Sequence, residues 1–456
     1  MAKKYLIETF GCQMNVHDSE RMAGLLDQAG YEPAGDERDA DLIVINTCSV
    51  REHAEDKLYT RLGELRVLGE ETGHRPLVAV AGCVAQQEGA ALLRNTNGHV
   101  IDIVMGTQRL RMLPALVERA ERSPFPEVDI SPMDDVSFPL GMARRADPVK
   151  AYVTIIEGCN DYCAFCVVPY TRGRERMRRR ADILDEVRQA VDSGCREIQL
   201  LGQIVNHYRA PDDPQCDFAQ VLAEVNDVPG VQRIRFASPH PRHAGTRLIE
   251  AVRDLPRVCK HMHLPVQSGS TRILEAMRRR HTREEYLDLV RRIREAIPDI
   301  ALSTDMIVGF PGETAADFEQ TVSLVEQVGY HSMFSFKYSP RPNTLASKRM
   351  TDEVSEAEKT ARIVALQARQ RDIQLRLHER AVGTTVHVLV DSAGRRRDGE
   401  ISGRTTGNTV VNFPVPAGEP GPWMGRTVAV GIRRAGPNSL WGEAAAGQTG
   451  GGVAGA

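Results

Sequence analysis

Cys159, Cys163 and Cys166 fall as C-x3-C-x2-C directly behind the apolar run 151–156, with no other cysteine or histidine close by in the chain. A loop this tight can aim three thiolates at one iron–sulfur cubane. A closed structural zinc site takes four protein ligands, and four cysteines saturate an electron-transfer cluster. Three thiolates leave one iron open to a small molecule. Zinc remains an alternative only if a fourth ligand arrives from far along the chain.

The chain has 456 residues, 41% of them hydrophobic and 26% charged, enough for two or three domains of about 100–200 residues each. No apolar run approaches the roughly 20 residues of a membrane span. The start, Met1 to Tyr5, lacks the apolar stretch of a signal peptide. The expectation is a cytoplasmic protein whose nine cysteines stay reduced and serve metal binding or catalysis.

Six of those cysteines form two sets of three. In the first 122 residues, apolar runs at 5–10, 41–46, 77–81 and 101–105 read as strands, and the first three run into Cys12, Cys48 and Cys83. Helical patterns at 19–29, 51–68, 85–93 and 109–122 separate them. Alternating strands and helices imply a parallel sheet, and ligands bind at the carboxyl edge of such sheets. Three thiolates sharing that edge can hold a second cluster. The plainer reading is three unrelated buried thiols.

Prolines accumulate from 123 to 148, which reads as a linker. From 149 to 375 six strands (152–157, 197–201, 233–237, 261–265, 302–308, 332–338) alternate with helices at 183–193, 218–228, 245–255, 283–296 and 315–327. That is too few strands for an eight-stranded barrel and suits an open (β/α)6 barrel. Polar residues follow the strand ends: Gln203, Ser238, Gln267 and Asp305 are candidate ligand contacts, although turn and capping roles explain most such residues. Six arginines between Arg172 and Arg180 read either as a solvated face or as a phosphate-gripping patch. A long charged helix spans 355–380. Residues 376–443 form a small basic β module carrying Trp423 and Trp441, suited to RNA, unless each Trp merely anchors a small core. The tail 444–456 is Gly- and Ala-rich and expected to be disordered.

Phe10 to Asn15, Asn46 to Glu52, Gly82 to Gln86, Glu157 to Gly173, Pro265 to Ser270 and Ile307 to Thr314 together resemble the radical S-adenosylmethionine (SAM) methylthiotransferases, over nearly the whole chain. The resemblance implies an N-terminal α/β domain, a central radical-SAM barrel and a C-terminal TRAM barrel. It also implies two [4Fe–4S] clusters, one on Cys159, Cys163 and Cys166 that cleaves SAM, and one on Cys12, Cys48 and Cys83 that carries the transferred sulfur. SAM would meet Gln203, Ser238, Gln267 and Asp305. The spelling of residues 9–15 points to the members that modify C2 of N6-dimethylallyladenosine at position 37 in the tRNA anticodon loop. A threonylcarbamoyladenosine tRNA, a ribosomal-protein aspartate, or a non-catalytic metal-dependent RNA-binding role are the competing readings. An electron donor and a sulfur source are implied, and a monomer is expected. Ile204, His281 and Asn343 stand where the family pattern has Asn, Tyr and Gly.

Overall fold

The computed structural model describes residues 2–49, 52–95, 100–133, 143–394, 399–415 and 419–445. The first unit runs β1 (Lys4–Phe10), α1 (Gln13–Gln28), β2 (Glu32–Pro33), β3 (Leu42–Thr47), α2 (Glu52–Thr72), β4 (Leu77–Gly82), α3 (Cys83–Glu88), α4 (Ala91–Asn95), β5 (Ile103–Met105), α5 (Leu113–Arg122) and β6 (Glu127–Asp129). Its strands are all parallel in the order β2-β1-β3-β4-β5-β6. Every residue of β3 is buried, as a parallel strand covered on both faces requires. The register sets Phe10 beside Thr47 and Thr47 beside Gly82. The chain therefore leaves three neighbouring strands at one level, just before Cys12, Cys48 and Cys83.

The second unit contains β7 (Lys150–Thr154), β8 (Ile156–Glu157), α6 (Val168–Thr171), β9 (Arg176–Met177), α7 (Arg180–Asp192), β10 (Glu197–Leu201), β11 (Arg209–Ala210), β12 (Asp213–Asp217), α8 (Phe218–Asp227), β13 (Arg233–Phe236), α9 (Thr246–Asp254), β14 (His261–His263), α10 (Thr271–Ala276), α11 (Arg283–Ala296), β15 (Ala301–Val308), α12 (Ala315–Val328), β16 (Ser332–Lys337) and α13 (Leu345–Arg349). β7, β10 and β13 form one parallel sheet, and β14, β15 and β16 another. A parallel bridge from Ile234 to Val258 links the halves, giving an open six-stranded barrel in sequential order. Capping boxes at Thr282 and Thr314 start α11 and α12, each satisfying amide donors that the first helical turn leaves free.

Helix α14 (Glu356–Glu379) packs along β16 and α12. It leads to β17 (Thr385–Ala393), β18 (Glu400–Arg404), β19 (Val410–Pro414), β20 (Thr427–Ala435) and β21 (Leu440–Ala444), closed as β17-β18-β19-β21-β20. This small barrel covers the amino-terminal end of the large one. Gly407 lies against Ala301, and Gly425 against Val149 and Arg196. From β13, Arg233 donates to the carbonyls of His387 (3.1 Å) and Arg404, and Arg235 to those of Thr406 (3.1 Å) and Thr405 (2.6 Å).

Several element bounds differ from the sequence expectation. The segment read as linker contributes β6, which pairs with β5; three residues are too short to leave a periodic signal. The single helix expected at 85–93 is two, because Gly89 turns at φ 53°. α1 starts at Gln13, directly after Cys12, rather than near 19. α14 runs through the boundary placed at 375, and β21 takes in Ala444. Residues 446–456 of the expected tail and Arg395, Arg396 and Arg397 lie outside the described residues. Trp423 is buried in the small barrel's core, whereas Trp441 is half-exposed, bonded to Glu400 (3.0 Å) beneath the Arg434 guanidinium.

Candidate active site between two cysteine triads

Cys12 caps α1, Cys48 follows β3, and Cys83 opens α3. Gly82 turns the chain at φ 94°, and a Cβ there would stand 2.4 Å from Asn46 Oδ1 and 2.5 Å from the Thr47 carbonyl oxygen. Buried Asn15 ties the edge together. Its Nδ2 donates to Asn46 Oδ1 (3.0 Å) and the Thr47 carbonyl (3.3 Å), and its Oδ1 accepts from Cys12 Sγ (3.2 Å). Asn46 Nδ2 returns a bond to the Asn15 carbonyl (2.8 Å). A buried amide network of this kind fixes geometry. The Cys48 thiol bonds both Cys12 and Cys83, pulling Cys12 down to about 6 and Cys83 to about 7; the Arg172 charge adds to both. The same bonds push Cys48 up. A lowered thiol pKa favours the thiolate, the form that ligation requires.

The barrel triad is built differently. Gly158 sits at φ 77°, where a Cβ would meet the Arg174 carbonyl at 2.1 Å. Its amide donates to Gln203 Oε1 (2.6 Å) and the Cys159 amide to the Gly173 carbonyl (3.2 Å). Further along the loop, the Ala164 amide donates to the Met277 carbonyl (2.9 Å), and the Ala164 carbonyl accepts from Ala346 N (2.8 Å). Burial pushes Cys159 and Cys166 up to about 12. Such thiols stay protonated near neutral pH and would release their protons on ligating a metal.

Of the candidate ligand contacts, Gln203 braces the cluster loop through its bond to Gly158. Gln267 N donates to the Asp305 carbonyl (3.0 Å), and Gln267 has φ 79°. Asp305 Oδ1 lies 3.4 Å from His263 Nε2. Ser238 is held at φ 59°. Gln267 and Asp305 are brought together; Ser238 and Gln203 stand at separate strand ends.

The arginine run divides: Arg174 and Arg179 face solvent, whereas Arg172, Arg176, Arg178 and Arg180 turn to carboxylates. Arg172 and Arg178 are buried. Arg172 Nη2 meets Asp18 of α1 at 2.7 Å, and Arg178 Nη1 meets Glu186 at 2.5 Å. Glu186 accepts from His17 Nε2 (3.1 Å), and His17 Nδ1 faces Thr154 Oγ1 (2.7 Å). Arg176 pairs with Glu157 (3.2 Å). α3 packs on α6, and Thr107 Oγ1 donates to the Thr171 carbonyl (2.6 Å). The segment after the barrel triad therefore fastens the barrel to the sheet edge, and Arg172 connects the two triads. Sequence reading missed Asn15, His17, Asp18 and Arg279. Asn15 lay within a quoted motif without a role, and the others need a partner far away in sequence to become visible.

The donor set fits two clusters. Each triad is three cysteines whose charges act on one another. Among the described residues no group of three His, Cys, Asp or Glu stands at metal-holding geometry in the chain as it is. Two buried polar atoms make no hydrogen bond: Arg279 Nε beside the barrel loop and Asp161 Oδ2 within it, the latter 3.8 Å from His240 Nε2. Cys195, Cys216 and Cys259 are buried elsewhere.

Three family models match the chain: Uncharacterized protein family UPF0004 over residues 4–106, Radical SAM superfamily over 153–325, and TRAM domain over 379–445. Curated relatives named tRNA-2-methylthio-N(6)-dimethylallyladenosine synthase are 46% identical in Geobacter metallireducens and 43% in Solibacter usitatus, each aligned over 97% of this chain and 98% of the relative. Among solved structures, the radical S-adenosylmethionine methyltransferase TsrM from Kitasatospora setae shares the fold at TM-score 0.52 and 14% identity, covering 88% of this chain and 77% of that one. The cobalamin-dependent radical enzyme OxsB matches at TM-score 0.53 and 12% identity, over 82% of this chain and 62% of its own. Among the described residues no helix is long and apolar enough to cross a membrane.

Proposed function

The chain belongs to the tRNA-2-methylthio-N(6)-dimethylallyladenosine synthase family, and we propose that it methylthiolates C2 of N6-dimethylallyladenosine at position 37 of the tRNA anticodon loop, with one triad serving each half of the reaction. Bound at Cys159, Cys163 and Cys166, a [4Fe–4S] cluster with SAM supplies the radical chemistry that an unactivated aromatic C–H demands, while a second cluster on Cys12, Cys48 and Cys83 supplies sulfur. The chain's own contribution is placement. The observation that carries this reading is the buried Arg172–Asp18 pair, which joins the segment following one triad to the helix capped by a ligand of the other. SAM contacts are assigned to Ser238, Gln267 and Asp305, with Gln203 acting through the loop it braces.

The substrate's route also has support. β7 and β16 are the free edges of the open barrel. Met333 packs into the core, Ser335 bonds Gln367 and Lys337 pairs with Glu356 on the outer side. Phe334 and Phe336 alternate to the inner side, where they are 55% and 41% exposed. Exposed aromatic faces beside Asp305 suit a base extruded from a loop and carrying an apolar dimethylallyl group. The electron donor and the sulfur source are separate partners, and the work belongs in the cytoplasm with the tRNA pool.

In the holoenzyme, Cys12→Ala, Cys48→Ala and Cys83→Ala should each retain 5′-deoxyadenosine production while adding no methylthio group, with barrel iron confirmed in parallel. Normal methylthiolation by any of them would remove the sheet-edge triad from the reaction. Nucleoside analysis of tRNA from a deletion strain should show N6-dimethylallyladenosine without its 2-methylthio derivative. An unchanged profile there would move the substrate to another family member's target.

A further inference from the structure

Arg279 is the middle of three consecutive arginines, and its two neighbours hold unusual backbone conformations. Arg278 lies at φ 58° and Arg280 at φ 56°. A left-handed backbone is disfavoured for residues other than Gly, Asn or Asp, and such outliers persist only where the surroundings over-determine them. Here the surroundings do. The amides of Met277, Arg278 and Arg279 donate to the carbonyls of Ile273, Glu275 and Leu274, and His281 Nδ1 lies 3.0 Å from the Arg279 carbonyl oxygen. Arg280 stays exposed, near Asp161. Arg279 turns inward and is buried.

The inward guanidinium reaches the cluster loop. Nη2 donates to the Pro265 carbonyl (2.6 Å), and Nη1 donates to Cys163 Sγ at 3.6 Å. The Met277 carbonyl two residues earlier accepts from Ala164 N (2.9 Å), so the turn and the loop move as one body. Reduction adds negative charge to a centre already made negative by its thiolates. A fixed cation and an N–H···S bond both favour that extra charge, and hydrogen bonds to ligand sulfur are a principal control of cluster potential.

We infer that Arg279 is a positioning residue that raises the reduction potential of the barrel cluster, through its hydrogen bond to Cys163 and its buried charge. The electron itself comes from an external one-electron reductant. This inference rests on the barrel triad holding a cluster and not on the tRNA substrate, so it can fail or stand independently of the substrate assignment.

The test is a dithionite-poised titration of the full-length holoenzyme followed by electron paramagnetic resonance, with the barrel cluster identified by the change that added SAM produces in its signal. Arg279→Gln should lower the ratio of reduced to oxidised barrel cluster about tenfold at a fixed poise, a shift of about 59 mV for one electron. Arg279→Lys, which keeps the charge, should stay within about threefold of wild type, and Arg280→Gln should leave the ratio unchanged. A fully loaded Arg279→Gln protein with the wild-type ratio overturns the inference. So does an equal shift in Arg280→Gln, which would mark a generic charge effect. If Arg279→Gln fails to hold barrel iron, the lysine variant decides: a loaded protein near the wild-type ratio supports the inference, and a tenfold fall, or loss of barrel iron in that variant too, overturns it.

Discussion

Single residues at the contact between the first unit and the barrel carry more than their sequence context suggests. Asp18 is 1% exposed and Arg172 4%, and removing one partner of so buried a pair typically costs about 3–5 kcal/mol because the other charge is stranded. Arg172→Met should lower stability by that order in urea unfolding; a change below about 1 kcal/mol would mean that solvent reaches Asp18. His17 gives a pH signature. Burial, then the Arg21 charge, hold it down to about 4, against the opposing pull of Glu186; burial likewise brings His243, His281 and His331 to about 4. Above about pH 6.5 the folded and unfolded states are both neutral at these sites. As pH falls from about 6.5 toward 4, the unfolded chain takes up protons that the folded one refuses, so stability should drop across that window. Chemical unfolding of the metal-free protein at several pH values checks the sign, and His17→Gln should flatten the slope. Buried Glu20, pushed up to about 7, acts with the opposite sign in this window, so the decisive arm is the variant: an unchanged slope in His17→Gln would contradict the burial of that ring. At the other extreme, replacing Cys195, Cys216 and Cys259 together should leave iron content unchanged. Loss of about four irons per chain would reveal a misassigned ligand.

At the scale of elements, strand ends and the turns after them decide where thiols point. β4 passes into α3 through Gly82, whose left-handed backbone has no room for a side chain. Gly82→Ala should displace Cys83 and lower iron by about four per chain while the SAM-responsive signal of the barrel cluster persists. Full iron in that variant would show that the turn can relax. Asn343 illustrates the opposite tolerance. It occupies a position where the family pattern has glycine and adopts φ 68°, a conformation that Asn visits more readily than other side chains. The sequence made the strands legible because β3 and β4 are continuous apolar runs and the barrel strands recur between amphipathic helices. It left β6 and β21 unread: a short edge strand and a strand of sequence Leu-Trp-Gly-Glu-Ala lack the periodicity on which such a reading depends.

For the whole molecule, the placement of the small barrel opposite the cluster end has a consequence for RNA. Under the proposed function, the anticodon loop has to reach the cluster end along the open side of the large barrel, away from the small one. Arg233 and Arg235 hold this arrangement through four carbonyls. Arg235→Ala would leave two carbonyls and Glu197 without their donor, and should expose the junction after α14 to limited proteolysis while SAM cleavage continues. Resistance equal to wild type would mean that the docking rests on the apolar contacts alone.

The two cysteine triads, the order of domains and the open barrel were already determined by the sequence, because ligand spacing and hydrophobic period are local properties that survive without coordinates. The roles of Arg172, Asp18, His17 and Arg279 were decided only by the tertiary structure. A run of arginines reads the same whether it faces water or a buried carboxylate. The partners that settle it, Asp18 for Arg172 and Cys163 for Arg279, lie more than a hundred residues away. Burial and long-range pairing are properties of the folded chain as a whole, and they convert a string of like charges into the joint between two cysteine triads.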